Sequence, residues 1–331
     1  MLNWAGVVLS GLLNGSFAVP LKTTRVWRFN HIWTLHSLLA MGVIPWIVVM
    51  VEVPRWNDLL TRVPLRGWLI LIGWGVLFGI ASLLYGIAVD LLGIALGFAI
   101  QLGLSIVLGA LLPLLWAGAF ELRSRGDWFF ILGLVLMVVG VVMCARAGGS
   151  KGESGSSSIK RFRLGLLIAI VGGVLAPTLN FGIQYGTALL SKDVGARYKG
   201  FPVDIYLAWA VFLSSAAVLQ ASYCFARVVR EHSTAVFGAG MLTRDALEVP
   251  AMSLLWISSV FLYGRSAFAL GPLGNSFGWP VFVAFIILTS NAWGVLLAEW
   301  RGAPRAAFYR MVGGSVVLIA AAFLIGRSKQ G

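Results

Sequence analysis

Uninterrupted apolar runs of about 20 residues dominate this chain, and such runs leave few ways to fold. Ten of them are visible, at residues 2–20, 31–53, 67–89, 92–117, 128–146, 164–190, 204–229, 247–269, 272–298 and 307–326. No soluble core of this size absorbs so many. In a bilayer each run must satisfy its own backbone hydrogen bonds, which makes it a helix. Composition agrees: 11% of the residues are charged and 59% hydrophobic, where a soluble domain carries about a quarter charged. The expected fold class is an all-α integral membrane protein with ten transmembrane helices.

The net charge of +13 raises the question of nucleic acid. The Lys and Arg residues stand in short loops between the runs, so the partner they imply is the membrane lipid surface and not nucleic acid. They are densest after odd-numbered runs, as in Lys22, Arg25 and Arg28 or Lys151, Lys160 and Arg161. The positive-inside rule then places both termini outside and the central loop in the cytoplasm. That loop, "AGGSKGESGSSSIKRF" at 147–162, is rich in Gly and Ser and basic. It reads as a flexible linker between five runs at 1–146 and five at 163–331. Cys144 and Cys224 lie far apart in or beside apolar runs, as packing residues and neither a disulfide framework nor a metal site. There is no paired-histidine metal motif, no Walker loop and no cluster of carboxylates inside a run, so nothing points to an enzyme, a metal or a cofactor.

The two halves resemble each other. With the first half shifted by 178 residues, Tyr85-Gly86 falls on Tyr263-Gly264, Leu92-Gly93 on Leu270-Gly271, and Glu121-x-Arg123 on Glu299-x-Arg301. Gly133-x₁₂-Arg146 then matches Gly314-x₁₂-Arg327 after a short insertion. We read an internal duplication. Five spans are an odd number, so the second copy enters the membrane inverted, the organisation of many secondary transporters. Two such halves exchange conformations and open a central site to either side, and that site is expected near the midplane where the halves meet.

The fourth and ninth runs are the expected walls. Gly93, Gly97, Gln101, Ser105 and Gly109 recur every four residues and share a helix face. Small residues at that spacing also serve close helix packing, but Gln101 is an amide in hydrocarbon and needs a partner. Its 178-shifted twin is Trp279, and that of Gly97 is Asn275, beside Pro272 and Pro280, which are expected to interrupt the ninth helix. The first and sixth runs add Asn14, Asn180 and Gln184. Amides donate and accept together, which matches the vicinal hydroxyls of a neutral sugar, and Trp279 offers a face for the ring. Interhelical hydrogen bonding is the competing role for each of these residues. A proton-coupled carrier also needs a group that titrates near neutrality. Only three histidines exist. His232 reads as a surface residue and His31 as interfacial, which leaves His36, within "WTLHSLLAMG", as the coupling candidate.

The residues Phe17-x-x-Pro20-x-Lys22, Pro45-Trp46, Gly79-x₅-Tyr85-Gly86-x₅-Leu92-Gly93 and Gly294-x-x-Leu297-x-Glu299-Trp300 resemble the bacterial L-rhamnose–proton symporter family, part of the drug/metabolite transporter superfamily. The resemblance runs nearly end to end. It implies ten helices in two inverted repeats and import of a rhamnose-like sugar with protons across the bacterial inner membrane. Export of another small solute, as elsewhere in that superfamily, is the alternative. The sequence does not fix the sugar or the oligomeric state.

Overall fold

In the computed structural model, the described residues are 4–20, 23–92, 94–118, 124–149, 159–190, 197–198, 201–298 and 300–328. They are helical almost throughout. In chain order the helices are α1 (Trp4–Ser16), α2 (Phe29–His36), α3 (Ile44–Glu52), α4 (Trp56–Arg62), α5 (Leu65–Leu92), α6 (Ile94–Trp116), α7 (Arg125–Gly149), α8 (Ile159–Leu175), α9 (Thr178–Leu190), α10 (Ile205–Arg230), α11 (Ala235–Met241), α12 (Asp245–Ala269), α13 (Gly274–Leu296) and α14 (Arg305–Ser328). A two-residue antiparallel ladder, β1 (Arg197–Tyr198) with β2 (Phe201–Pro202), lies between α9 and α10.

Eight stretches of the described residues are long and apolar enough to cross a bilayer: Phe29–Glu52, Leu65–Ala88, Arg125–Gly148, Lys160–Leu190, Ile205–Arg230, Asp245–Ala269, Gly274–Leu296 and Arg305–Ser328. This is a multi-pass membrane protein. Bulky apolar side chains such as Met50, Val218, Val316 and Phe323 stand exposed along these helices, where hydrocarbon is their solvent. α1 has 13 residues, fewer than the 2–20 expected, because the chain turns after Ser16. Of the linker, α7 continues to Gly149 and α8 begins at Ile159, while 150–158 fall outside the described residues, as do Gly93, Glu121 and Glu299.

The helices gather into two compact units. Unit 1 holds Met1–Ser16, Ala81–Pro177 and Leu262–Gly331, and unit 2 holds Phe17–Ile80 and Thr178–Phe261. In unit 1, α7 packs along α14, α1 along α13, and α6 against α7, α8 and α13. Lipid offers no hydrophobic drive for such pairs, so they rest on close van der Waals fit. Glycines supply it. A Cβ on Gly11 or Gly15 of α1 would overlap Phe285 or Thr289 of α13, and one on Gly314 of α14 would overlap Cys144 of α7. In unit 2, α10 is the centre and packs on α2, α3, the turn between them, and α9.

Proline acts differently in two of these helices. Pro280 does not interrupt α13, which runs unbroken from Gly274 to Leu296. The break falls earlier, at Leu270–Leu273, where Gly271 takes φ +92°, a conformation that glycine adopts without penalty. Pro45 has the larger effect. It cannot donate to the Met41 carbonyl and its ring crowds that carbonyl. The preceding residues Ser37–Val43 form a π-helical segment, and the wider turn accommodates the proline while joining α2 to α3.

Candidate functional site

Polar side chains gather inside the apolar helices of each unit, and one such cluster in each contains residues that the sequence singles out. That of unit 2 forms around His36, the last residue of α2, directly before the π-helical segment. Its side chain is buried, with the residue 1% exposed. Nδ1 lies 3.1 Å from Ser253 Oγ of α12. The Ser253 hydroxyl donates to the Val249 carbonyl at 2.9 Å. A hydroxyl has one hydrogen, so at the imidazole Ser253 accepts: Nδ1 carries the hydrogen and Nε2 the lone pair. Aromatic rings wall the imidazole. Phe17 stacks on it at 5.8 Å, Trp33 is tilted at 5.4 Å, and Trp256 meets it edge-on at 5.9 Å. Trp256 in turn stacks on Phe78.

One amide ties this wall to α10. Gln220, fully buried, accepts at Oε1 from Trp33 Nε1 (3.1 Å) and from the Ser37 hydroxyl (3.4 Å). Its Nε2 donates to Met41 Sδ at 3.7 Å. The π-helical segment is thus fastened to one side chain at Ser37 and at Met41. Gln220 carries the same sequence signal as Gln101, a lone amide within an apolar run. The duplication does not reveal it, because its 178-shifted counterpart is Gly42. Ser253 and Trp256 gave no signal at all.

The cluster of unit 1 contains four of the expected residues. Trp279 of α13 is 4% exposed, and its Nε1 donates to the Ser105 carbonyl of α6 at 3.0 Å. Its ring meets Tyr263 edge-on at 5.8 Å and Phe282 at 5.7 Å. Gly109 makes room for the indole, which a Cβ there would overlap. Tyr263 donates to the Asn275 carbonyl at 3.5 Å. Asn14 and Asn275 are buried. The Gln101 amide occupies the space over Gly172 of α8, and its Nε2 is buried without a hydrogen-bond partner. An amide left so costs about 1–3 kcal/mol. The fold therefore brings Ser105, Gly109 and Trp279 together along one α6–α13 contact, while Gln101 faces α8.

The remaining residues belong to α9 in unit 2. Asn180 is fully buried, while Gln184, one turn on, is half-buried. His232 is exposed, as expected. His31 is buried: it is 1% exposed and its Nε2 sits 2.9 Å from the Ser233 carbonyl. The docking of the 231–234 turn over α2 covers it, a long-range contact that span hydropathy does not register.

Residues 5–330 match the family described as L-rhamnose-proton symport protein (RhaT). The chain belongs to this family. Relatives named L-rhamnose-proton symporter include those of Citrobacter koseri, 23% identical over 94% of this chain and 92% of the relative, and of Escherichia coli, 22% identical with the same coverage. That of Cronobacter sakazakii is 24% identical, again over 94% and 92%. Members of the L-rhamnose-proton symport family are transport proteins and not enzymes.

Proposed function

We propose that this protein is a secondary transporter of the bacterial inner membrane that imports a rhamnose-like neutral sugar together with protons. The end-to-end family match carries this reading. The buried groups support it. Amides, hydroxyls and one imidazole, framed by Trp and Phe rings, suit a ligand with hydroxyls and an apolar ring face. Asn14, Gln101, Asn275 and Trp279 of unit 1 and Asn180 and Gln184 of unit 2 are the proposed sugar ligands. Their amides offer donors and acceptors to vicinal hydroxyls. His36 is the proposed proton-coupling group. Its Nε2 lone pair gives a proton a place, and the Ser253 contact fixes the ring that receives it.

The proposed architecture is ten helices in two inverted five-helix repeats of the drug/metabolite transporter superfamily, 1–146 and 163–331, with termini outside and the linker cytoplasmic. The helix contacts support it. If the repeats correspond, α1 matches α8, α6 matches α13, and α7 matches α14. The pairing of α1 with α13 then has its counterpart in α8 with α6, and that of α6 with α7 in α13 with α14. The pairs α6–α13 and α7–α14 map onto themselves, as contacts across a pseudo-two-fold axis do. Each half also passes from unit 1 to unit 2 and back. Related helices of this kind let two equivalent conformations interconvert.

The test is thermal unfolding of detergent-purified protein against L-rhamnose, other deoxyhexoses, hexoses, amino acids and nucleosides. A ligand that binds only the folded state raises the melting temperature. L-Rhamnose or a near relative should do so. Stabilisation by an amphiphile or an amino acid, with no response to sugars, would favour the exporter alternative.

A further inference from the structure

At one end of unit 2 the entry to α2 is clamped to the segment joining α10, α11 and α12. The Asp245 carboxylate accepts from the backbone N–H groups of Arg25 (3.0 Å), Val26 (2.8 Å) and Trp27 (2.7 Å). The Trp27 indole donates to the carbonyls of Val236 and Phe237 at 3.1 and 3.2 Å. Asn30 donates to Glu231 at 3.4 Å. These bonds hold in register two stretches of chain more than 200 residues apart.

The clamp gathers more positive charge than its carboxylates pair. Arg25, Arg28, Arg230 and Arg244 all have exposed side chains. Asp245 lies beside Arg244 in sequence and beside Arg25 in the fold, yet both its oxygens are committed to backbone N–H groups and the residue is 1% exposed. Among the described residues, Arg25, Arg28 and Arg230 make no ion pair. Arg244 has Glu248, at 3.8 Å, with its own side chain 77% exposed. Arg227 is paired more closely, with Glu231 at 3.2 Å. Large apolar side chains share this end and are also exposed: Phe29, Met241, Leu247 and, at 91%, Leu242.

We propose that this clamp is a binding site for an anionic phospholipid of the adjoining leaflet. Guanidinium groups pair bidentately with a phosphodiester. Apolar side chains at the same level enter the acyl region, as those of interfacial helices do. A free phosphate would leave that apolar ring in water. Basic residues at the end of a span gain from an anionic leaflet, each by roughly a factor of five in affinity. Here the fold supplies several on a rigid frame.

The experiment is thermal unfolding of the detergent-purified protein titrated with phosphatidylglycerol, phosphatidylcholine or inorganic phosphate. Phosphatidylglycerol should stabilise the wild type well beyond phosphatidylcholine, and phosphate should not. The triple variant Arg25→Gln/Arg28→Gln/Arg244→Gln should need at least tenfold more phosphatidylglycerol for the same shift. A second triple, Arg301→Gln/Arg305→Gln/Arg310→Gln in unit 1, removes the same charge elsewhere and should respond like the wild type. Equal loss in both triples would overturn the proposal in favour of net charge alone. An equal response to the two lipids, or full stabilisation by phosphate, would overturn it as well. Should the first triple fail to fold, Arg28→Gln alone decides: a normal response to phosphatidylglycerol overturns the site.

Discussion

Replacing Asp245 by Asn should loosen the entry to α2 without unfolding the protein, and the size of the effect follows from the geometry. One carboxylate oxygen accepts from Arg25 and the other from both Val26 and Trp27. An amide of the same shape keeps a single acceptor. If its carbonyl serves Val26 and Trp27, its NH₂ group meets the Arg25 N–H, donor against donor. A charge-assisted bond contributes about 1.5–3 kcal/mol and a neutral one about 0.5–1.5 kcal/mol. One lost bond and two weakened ones therefore amount to about 3 kcal/mol, allowing for partial hydration of the Arg25 end. That is roughly a hundredfold in a local opening equilibrium. The Trp27 indole remains bonded to Val236 and Phe237, so the opening stays local. Hydrogen exchange of the Val26 and Trp27 amides reads this directly. About hundredfold faster exchange is expected there, with α7 and α14 unchanged. Exchange at 25–27 altered by less than threefold, or acceleration spread over the whole chain, would refute the assignment of Asp245 as a local clamp.

Other expectations follow from the two clusters. Gly109→Ala should destabilise by about 1–3 kcal/mol, because the new methyl overlaps the Trp279 indole; thermal unfolding in detergent checks it, and an unchanged midpoint would contradict the packing. Trp279→Phe keeps most of the ring and removes the bond to the Ser105 carbonyl, for a loss of about 1 kcal/mol; if Trp279 also serves the sugar, its ligand-induced stabilisation should fall further than the fold does. Gln220→Leu leaves the Trp33 indole and the Ser37 hydroxyl without their acceptor, and should cost about 2–4 kcal/mol with faster exchange confined to residues 33–43. His36→Gln in liposomes should preserve sugar counterflow and lose accumulation driven by a pH gradient; full retention of gradient-driven uptake would make His36 structural.

Much of the architecture is legible in the sequence because hydropathy and span length act through the solvent, one helix at a time. The spacing matches between the two halves are legible for the same reason: they need no knowledge of contacts. The close α7–α14 contact, where Gly140 and Gly314 make room for Leu318 and Cys144, is not visible in the sequence. What escapes is whatever depends on a partner distant in the chain. Asp245 reads as a carboxylate at a span end, and only the fold shows the Arg25–Trp27 backbone seated on it. Hydropathy does not show that the 231–234 turn covers His31. Pro45 and Pro280 are the same residue type within apolar runs. One lies beside a π-helical segment and the other within a continuous helix, and no pattern in the neighbouring residues separates them. Trp279 is singled out as unusual, yet the sequence cannot show that its indole N–H is already bonded to the Ser105 carbonyl.

The account rests on sugar movement coupled to protons, and one measurement addresses that most directly. Purified protein would be reconstituted into liposomes, and uptake of radiolabelled L-rhamnose followed with the outside more acidic than the inside. Internal sugar should rise above the external concentration, approaching about tenfold per pH unit for a one-proton carrier, and should collapse on adding a protonophore. Entry that stops at equal concentrations with or without the pH gradient, or no entry of any deoxyhexose, would contradict it.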